Sequence, residues 1–144
     1  MPQLNAYLSF DGTCAEAMRF YERTLGAKLE MLMTNAESPI ADQMPTGNAD
    51  RVIHARLVHP DFVLMAGDAM VGQPYEAMKG ITMTLSYPTV AEARRVFDAL
   101  SAGATTVMMP MQESFWAEAF GMFVDRYGTP WTINGALKEG YATR

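Results

Sequence analysis

The fold of this chain is decided by the stretch LSFDGTCAEA at residues 8–17, because a close copy of it, LSYPTVAEA, occurs at residues 85–93. The two copies are offset by 77 residues at the leucine and by 76 at the threonine, so the first copy has one extra residue before its threonine. A 144-residue chain that repeats one unit in this way is predicted to fold as two modules of the same type, packed around a shared surface.

Each copy predicts a strand that leads into a helix, since Thr13 with Glu16 and Thr89 with Glu92 have the spacing of a helix-capping box. The apolar residues that follow recur at helical spacing, and Gly26 is placed to end the first helix. Three further strands are predicted after each helix. The predicted strands are 4–10, 28–34, 52–58 and 62–66, then 81–87, 105–109, 122–125 and 131–134. We therefore expect an α+β fold of two βαβββ modules, 1–68 and 80–137, joined by a linker at 69–79 within a single domain, 1–144.

Composition excludes several classes of function. The net charge of −5 and the isoelectric point near 4.9 argue against a nucleic-acid surface and against attraction to anionic lipid. The single cysteine, Cys14, has no partner for an intrachain disulfide, and no apolar run approaches the roughly 20 residues of a membrane span. The first residues lack a secretory pattern. We expect a cytoplasmic protein with a small-molecule ligand and no membrane partner.

Methionine is unusually frequent, with thirteen residues, many of them in predicted strands. In the strand 28–34, Leu29, Met31 and Met33 alternate, which predicts that they share one face. Core filling accounts for such residues, and so does a surface that adapts to varied apolar ligands. The loop 35–50, rich in proline and polar residues, is long enough to be a lid.

The duplicated module order resembles the vicinal oxygen chelate superfamily of glyoxalase I, bleomycin-resistance proteins and extradiol dioxygenases. Within it, the chain is similar to the PhnB-like branch. This likeness is carried by the segments 8–12, 20–21, 25–27, 54–55, 64–65, 68–69, 112–117, 120–121, 125–128 and 130–134. The resemblance implies that each module curls its sheet into half of a cup, that the cup binds ligand, and that the protein is a homodimer, for which open sheet edges also argue.

In metal-dependent members the ligands are histidines and glutamates on the first and last strands of each module. Carried over by strand position, these sites fall near Asn5, Leu64 or Met65, Thr82, and Thr132 or Ile133. None of these residues is a histidine or a carboxylate, the donors that a divalent cation requires. We predict no cofactor and no metal ligand, and leave open a divalent metal at a non-standard site.

Two residues are candidates for catalysis. His54 lies in a predicted strand, where it is either a structural histidine, a ligand contact or acid–base group, or a metal ligand; its near-neutral pKa in peptides suits proton transfer. Glu113 lies on the loop before the last hairpin, close to Trp116. The candidate ligand-binding residues are Asn5, Tyr7, Asp68, Thr82, Trp116 and Thr132. For Asp68, capping of a turn is the alternative role, and for Trp116 it is packing under a loop.

Three functions compete. The first is a metal-independent small-molecule binding protein whose ligand is unknown. The second is a metal- or histidine-assisted enzyme of the lyase, isomerase or dioxygenase kind, with a non-standard site around His54. The third is a relict that has lost its catalytic groups. The fold does not choose among them, because function is determined by the site.

Overall fold

The computed structural model describes residues 1–142 of the 144-residue chain. It contains two compact units, Met1–Ala77 and a second that begins at Met78. Each unit consists of one helix and one four-stranded mixed sheet, in the order strand, helix and three strands. The predicted α+β class and the duplicated module order are confirmed, and neither sheet is closed.

The first unit contains sheet 1, in the strand order β1-β4-β3-β2. Strand β1 is parallel to β4, and the other pairs are antiparallel. A short 3-10 turn, Ala41–Gln43, lies in the loop before β3. The elements are β1 (Ala6–Phe10), α1 (Cys14–Leu25), β2 (Lys28–Thr34), β3 (Val52–His59) and β4 (Phe62–Asp68).

The second unit contains sheet 2, in the equivalent order β5-β8-β7-β6 and with the same pattern of parallel and antiparallel pairs. Its elements are β5 (Met83–Tyr87), α2 (Val90–Ser101), β6 (Thr106–Gln112), β7 (Ala117–Val124) and β8 (Pro130–Leu137). Strand β7 begins five residues before the predicted strand, because Gly121 does not break it. A Cβ atom at Gly121 would lie 2.5 Å from the Phe97 ring, so the helix packs where the glycine leaves space.

Each helix covers one face of its own sheet. The buried residues of helix α1 face sheet 1. Gly26 ends the helix in the left-handed conformation, as predicted. In the second unit, Phe97 of α2 meets Phe123 of β7 edge to face, with ring centroids 5.1 Å apart. The buried residues of the helices are Cys14, Ala17, Met18, Phe20, Tyr21 and Leu25, then Ala93, Val96, Phe97 and Leu100.

The two helices begin differently, and one predicted capping box is wrong. Thr89 accepts a hydrogen bond from the Glu92 amide, as predicted for α2. The Thr13 side chain makes no capping hydrogen bond. The Asp68 carboxylate instead accepts hydrogen bonds from the amides of Gly12 and Cys14, because β4 ends beside the start of α1.

The loop 35–50 is held by two buried asparagines. Asn35 donates its side-chain amide to the carbonyl of Asn48, and Asn48 donates to the carbonyl of Pro45. Asn48 also accepts a hydrogen bond from the amide of Val71. These bonds tie the loop to the segment that follows β4.

Neither helix of the described chain is long and apolar enough to cross a membrane, since each has 12 residues.

Candidate functional site

The face of sheet 2 that α2 leaves uncovered is here named open face 2. Phe123 pairs with Trp131 on the helix side, so the neighbouring positions along both strands point to the opposite side. Phe120 pairs there with Asn134, and Met122 with Thr132. The side chains of open face 2 include Thr84 and Ser86 on β5, Thr106, Met109 and Gln112 on β6, Phe120, Met122 and Val124 on β7, and Pro130, Thr132 and Asn134 on β8.

A chain of hydrogen bonds crosses open face 2. The indole nitrogen of Trp116 donates to Oδ1 of Asn134 over 3.0 Å, and Nδ2 of Asn134 donates to Oγ of Ser86 over 3.2 Å. Asn134 is buried, whereas Ser86 is exposed and Trp116 is partly exposed. The network therefore fixes the orientation of the indole ring and leaves a hydroxyl group facing solvent beside it.

The loop that carries Trp116 is held in shape by hydrogen bonds to its backbone amides and carbonyls. The Ser114 hydroxyl accepts hydrogen bonds from the amides of Trp116 and Ala117, which closes a tight turn before β7. The carbonyl of Trp116 accepts a hydrogen bond from the amide of Lys138, just after β8. The predicted ligand contact Trp116 thus occupies a defined position at the end of the sheet.

Aromatic rings surround Trp116. The Phe120 ring lies 4.5 Å from the Trp116 ring, and Phe115 lies 4.8 Å away in an edge-to-face arrangement. Phe115 also contacts Tyr141, and both are exposed. Rings in such arrangements present the apolar and weakly polar surfaces on which planar ligands stack.

Two other predicted ligand-binding residues, Thr82 and Thr132, lie together on open face 2. Their hydroxyl groups are hydrogen-bonded over 3.3 Å. Thr132 is two residues from Asn134 on β8, so the threonine pair continues the polar row that begins at Trp116.

In the first unit, Tyr7 and His54 come together on the face of sheet 1 opposite α1. Their rings are roughly parallel, with centroids 6.0 Å apart. The Tyr7 hydroxyl donates to the carbonyl of Ile53, and its ring lies over Gly67, where a Cβ would come 2.5 Å from the hydroxyl oxygen. Partial burial, then the nearby Cys14 and Asp68, raise the pKa of Tyr7, so its phenol is neutral near pH 7.

The remaining predicted contacts of the first unit lie elsewhere. Asn5 is exposed and precedes β1. Both carboxylate oxygens of Asp68 accept backbone hydrogen bonds, Oδ1 from Gly12 and Cys14 and Oδ2 from the amide of Val52. Asp68 therefore holds the ends of β4, β3 and α1 together.

Glu113 forms an ion pair with Lys138, with 2.9 Å between the carboxylate oxygen and Nζ. The hydrogen bond from Lys138, and then its charge, lower the pKa of Glu113. Glu113 is exposed, so this pair contributes little to stability. A carboxyl with a lowered pKa is ionised near pH 7 and is a poor proton donor. His54 and Glu113 belong to different units.

Comparison with known proteins identifies the family. The sequence profile of the glyoxalase/bleomycin resistance protein/dioxygenase superfamily matches residues 3–133. The chain belongs to this superfamily. Protein YjdN from Escherichia coli strain K12 is 36% identical over 139 residues, which cover 91% of this chain and 93% of YjdN.

Solved structures agree. Protein PA1353 from Pseudomonas aeruginosa is 42% identical, covers 93% of this chain and 97% of its own, and superimposes with a TM-score of 0.86. The PhnB protein from Bacillus cereus has 22% identity and a TM-score of 0.76, with 92% of this chain and 98% of that chain covered. That likeness shows a shared fold and accords with the predicted PhnB-like resemblance.

The positions carried over from metal-dependent members of the superfamily hold neutral side chains. In the second unit they are the hydrogen-bonded Thr82 and Thr132, and in the first unit Asn5 and the buried Leu64 or half-buried Met65. Across residues 1–142, His, Cys, Asp and Glu side chains form no group of three or more that could hold a metal ion. These residues therefore do not fit the superfamily's metal site.

Cys14 is fully buried at the start of α1. Burial, and then the nearby Asp68 carboxylate, raise the pKa of the Cys14 thiol to about 12. Because the thiolate is the nucleophilic form, Cys14 is inert near pH 7 and serves as a packing residue.

Two residues of the network, Ser86 and Asn134, were missed as candidate site residues. Both belong to segments that carry the duplication or the family resemblance, and both alternate with apolar neighbours on their strands. Both are polar residues that alternate with apolar ones along a strand. This pattern would have identified them if the face covered by the helix had been known.

Proposed function

We propose that this protein binds a small molecule without a metal ion, at open face 2. The observation that carries the proposal is the chain of hydrogen bonds from Trp116 through Asn134 to Ser86. Ligand sites combine apolar and aromatic surface with a few fixed polar groups, and this network supplies both. The groups of the network are neutral, which favours a ligand held by stacking and neutral hydrogen bonds.

The hydrogen bond to Asn134 prepares the indole ring for binding. A ring already held in one orientation loses less conformational freedom when a ligand stacks on it than a free side chain would. The neighbouring Phe120 ring supports it from the sheet side, 4.5 Å away. Open face 2 thus has a binding surface that is largely formed before a ligand arrives.

A thermal-shift screen of metal-stripped protein tests the proposal. The library contains neutral aromatic compounds, carboxylates and sugars, and all measurements are made in the presence of a chelator. We expect neutral aromatic compounds to raise the melting temperature of the wild type and to lose this effect in Trp116→Ala. Tyr75→Phe, which removes the hydroxyl that donates to the Ser9 carbonyl in the first unit, is the control that keeps the wild-type response.

An enzyme that uses His54 is the second candidate. The observation in its favour is the imidazole beside the neutral Tyr7 phenol on the face of sheet 1 opposite α1. Such a pair is suited to moving a proton on a bound carbonyl compound, with or without a metal ion. If His54 acts in this way, His54→Gln abolishes turnover and leaves binding at Trp116 intact. Unchanged turnover would exclude this role.

We also propose that the protein is a homodimer. The support is the open edge strand β6, whose residues are nearly all exposed although several are apolar, among them Val107 and Met109. Exposed apolar edges invite pairing with another chain. Light scattering at micromolar concentration should give twice the chain mass of 15.9 kDa, and the chain mass itself would contradict the proposal. The cytoplasmic location stays a prediction.

A further inference from the structure

We propose that open face 2 binds an amphipathic molecule, with a planar aromatic head on Trp116 and an aliphatic chain in an apolar depression at the opposite end of the same face. The inference rests on the proposed function and adds the chemical class of the ligand. Its basis is that one face of one sheet has an aromatic end with fixed polar groups and an opposite end with mostly apolar side chains.

The apolar end is a shallow, open depression of about 450 Å³. Aliphatic and thioether side chains dominate its lining, with Thr82 and Lys79 as the polar members. The lining residues are Met78, Lys79, Gly80, Ile81, Thr82, Met108, Val124 and Pro130.

Large apolar side chains are exposed in this depression. Ile81 is 63% exposed and Met108 is 44% exposed. A single exposed apolar residue is ordinary, but several around one concave surface mark a place where apolar surface is covered by something else. Covering it removes apolar area from water, which favours binding of an aliphatic chain.

Strand β8 connects the two ends. Pro130 lines the depression and pairs with Val124 on open face 2, whereas Asn134 belongs to the Trp116 network on that face. Four residues of extended strand separate them, which is about 13 Å at 3.3 Å per residue. The Thr82–Thr132 hydroxyl pair lies between the two ends.

The hydrogen bonds at the polar end define the head group. Ser86 Oγ already accepts from Asn134, so its own hydroxyl hydrogen is left to donate outward. The Trp116 N–H is occupied, so the indole offers its ring surface and not its donor. A planar aromatic ring with an acceptor oxygen, such as a keto or ester carbonyl, matches both features.

The methionines at the apolar end determine which shapes of aliphatic chain the site accepts. Met78 and Met108 are unbranched and adopt many conformations, so they adjust to chains of different shape. We therefore expect selectivity for chain length, which determines the buried area, and weak discrimination between straight and branched chains of the same size.

A homologous series of n-alkyl 4-hydroxybenzoates, from methyl to tetradecyl, tests the inference by calorimetric titration of metal-stripped protein. Esters whose chains are too short to span the distance of about 13 Å between the two ends should all bind with similar affinity. Beyond that length, each added methylene should tighten binding about fourfold, the factor that corresponds to about 0.8 kcal/mol per buried CH₂, until the chain fills the depression. Longer esters should then bind with equal affinity.

Variants separate the two ends. Ile81→Asp should abolish the dependence on chain length and leave the affinity of the methyl ester unchanged, whereas Trp116→Ala should weaken every ester by a similar factor. Val71→Asp is the matched control, because Val71 is an exposed apolar residue of the first unit. It should keep the full wild-type series.

Three results would overturn the inference. If affinity is independent of chain length but still depends on Trp116, the depression is not used, and the proposed function stands. If no ester binds, the head group is wrong, and the proposed function is then judged by the thermal-shift screen alone. If Ile81→Asp halves the mass in solution and the chain-length series is unchanged, the depression is a contact between copies of the chain.

Discussion

The indole nitrogen of Trp116 lies 3.0 Å from Oδ1 of Asn134, and this hydrogen bond joins the loop before β7 to the middle of strand β8. Asn134 in turn donates to Ser86 on the other side of β8. The buried side-chain amide of Asn134 therefore fixes the positions of both the Trp116 ring and the Ser86 hydroxyl. Removing this amide should change the mobility of the ring.

We predict that Asn134→Leu releases the Trp116 ring. Loss of two neutral hydrogen bonds, to Trp116 and to Ser86, should lower the free energy of unfolding by about 1–3 kcal/mol. Acrylamide quenching of tryptophan fluorescence should increase, because the other tryptophan, Trp131, is buried and bonded to Asp125 and gives a constant background. Ser86→Ala is the control, with unchanged quenching. Equal quenching in the wild type and Asn134→Leu would show that the bond does not hold the ring.

We predict that Asp68, and not Thr13, caps helix α1. Because three backbone amides donate to the Asp68 carboxylate, Asp68→Ala should lower the free energy of unfolding by about 2–4 kcal/mol. Thr13→Ala should change it by less than about 0.5 kcal/mol. Thr89→Ala, which removes the hydrogen bond that caps α2, should lower the free energy of unfolding by about 1 kcal/mol. Urea denaturation measures all three, and a Thr13→Ala as costly as Asp68→Ala would refute the assignment.

We predict that Ala136→Gly stabilises the protein. Ala136 has φ of 54° within β8 and, among residues 1–142, is the only non-glycine residue with positive φ. A side chain in this conformation is strained, and glycine relieves the strain at the expense of a more flexible unfolded chain. The net gain should be about 0.5 kcal/mol, measured as a higher urea midpoint. Ala119→Gly, at a buried position of the neighbouring strand, should destabilise.

We predict that Cys14 makes the protein less stable at alkaline pH. The thiol pKa rises from 9.0 to about 12 on folding, so between these values the unfolded chain binds fewer protons than the folded one. Stability contributed by the neutral thiol is therefore complete below pH 9 and is lost as pH rises, by about 1.4 kcal/mol at pH 10. Cys14→Ala should remove this dependence. A wild type and Cys14→Ala that lose stability in parallel from pH 8 to pH 10 would contradict the raised pKa.

The duplication made the architecture predictable, because the pattern of one module occurs twice in the sequence and each copy supports the interpretation of the other. The consequence of the extra residue before Thr13 was not predictable. Phe10 pairs with Asp68, and the equivalent Tyr87 pairs with Gly135. A Cβ at Gly135 would lie 2.8 Å from that of Ala93, so the second helix sits directly on its strand. The longer first turn accommodates a carboxylate at this place.

The face of Leu29 on β2 was predicted wrongly for a similar reason, whereas Met31 and Met33 do share one face, as predicted. Leu29 pairs with the buried Leu57, whereas Met31 pairs with Arg56, so Leu29 and Met31 point to opposite faces. A register shift between them inserts one residue, and a bulge of this kind reverses the alternation on which the prediction depends.

The candidate site was only half predictable, because its residues meet through long-range pairing. Trp116 was identified from its loop, but its partner Asn134 becomes visible only when the register of β7 and β8 is known. Thr82 and Thr132 were placed by family resemblance and do lie together. Hydrogen bonds between residues that are 18 and 48 positions apart leave no periodic signal in the sequence.

The mass of the complex shows whether the protein binds its ligand without a metal ion. Native mass spectrometry of metal-stripped protein, mixed with the strongest aromatic compound from the thermal-shift screen, resolves protein, ligand and any bound ion in one spectrum. We expect a complex whose mass equals that of protein plus ligand, and we expect this complex to be absent in Trp116→Ala. A complex that forms only after a divalent metal is restored, with that ion included in its mass, would contradict it.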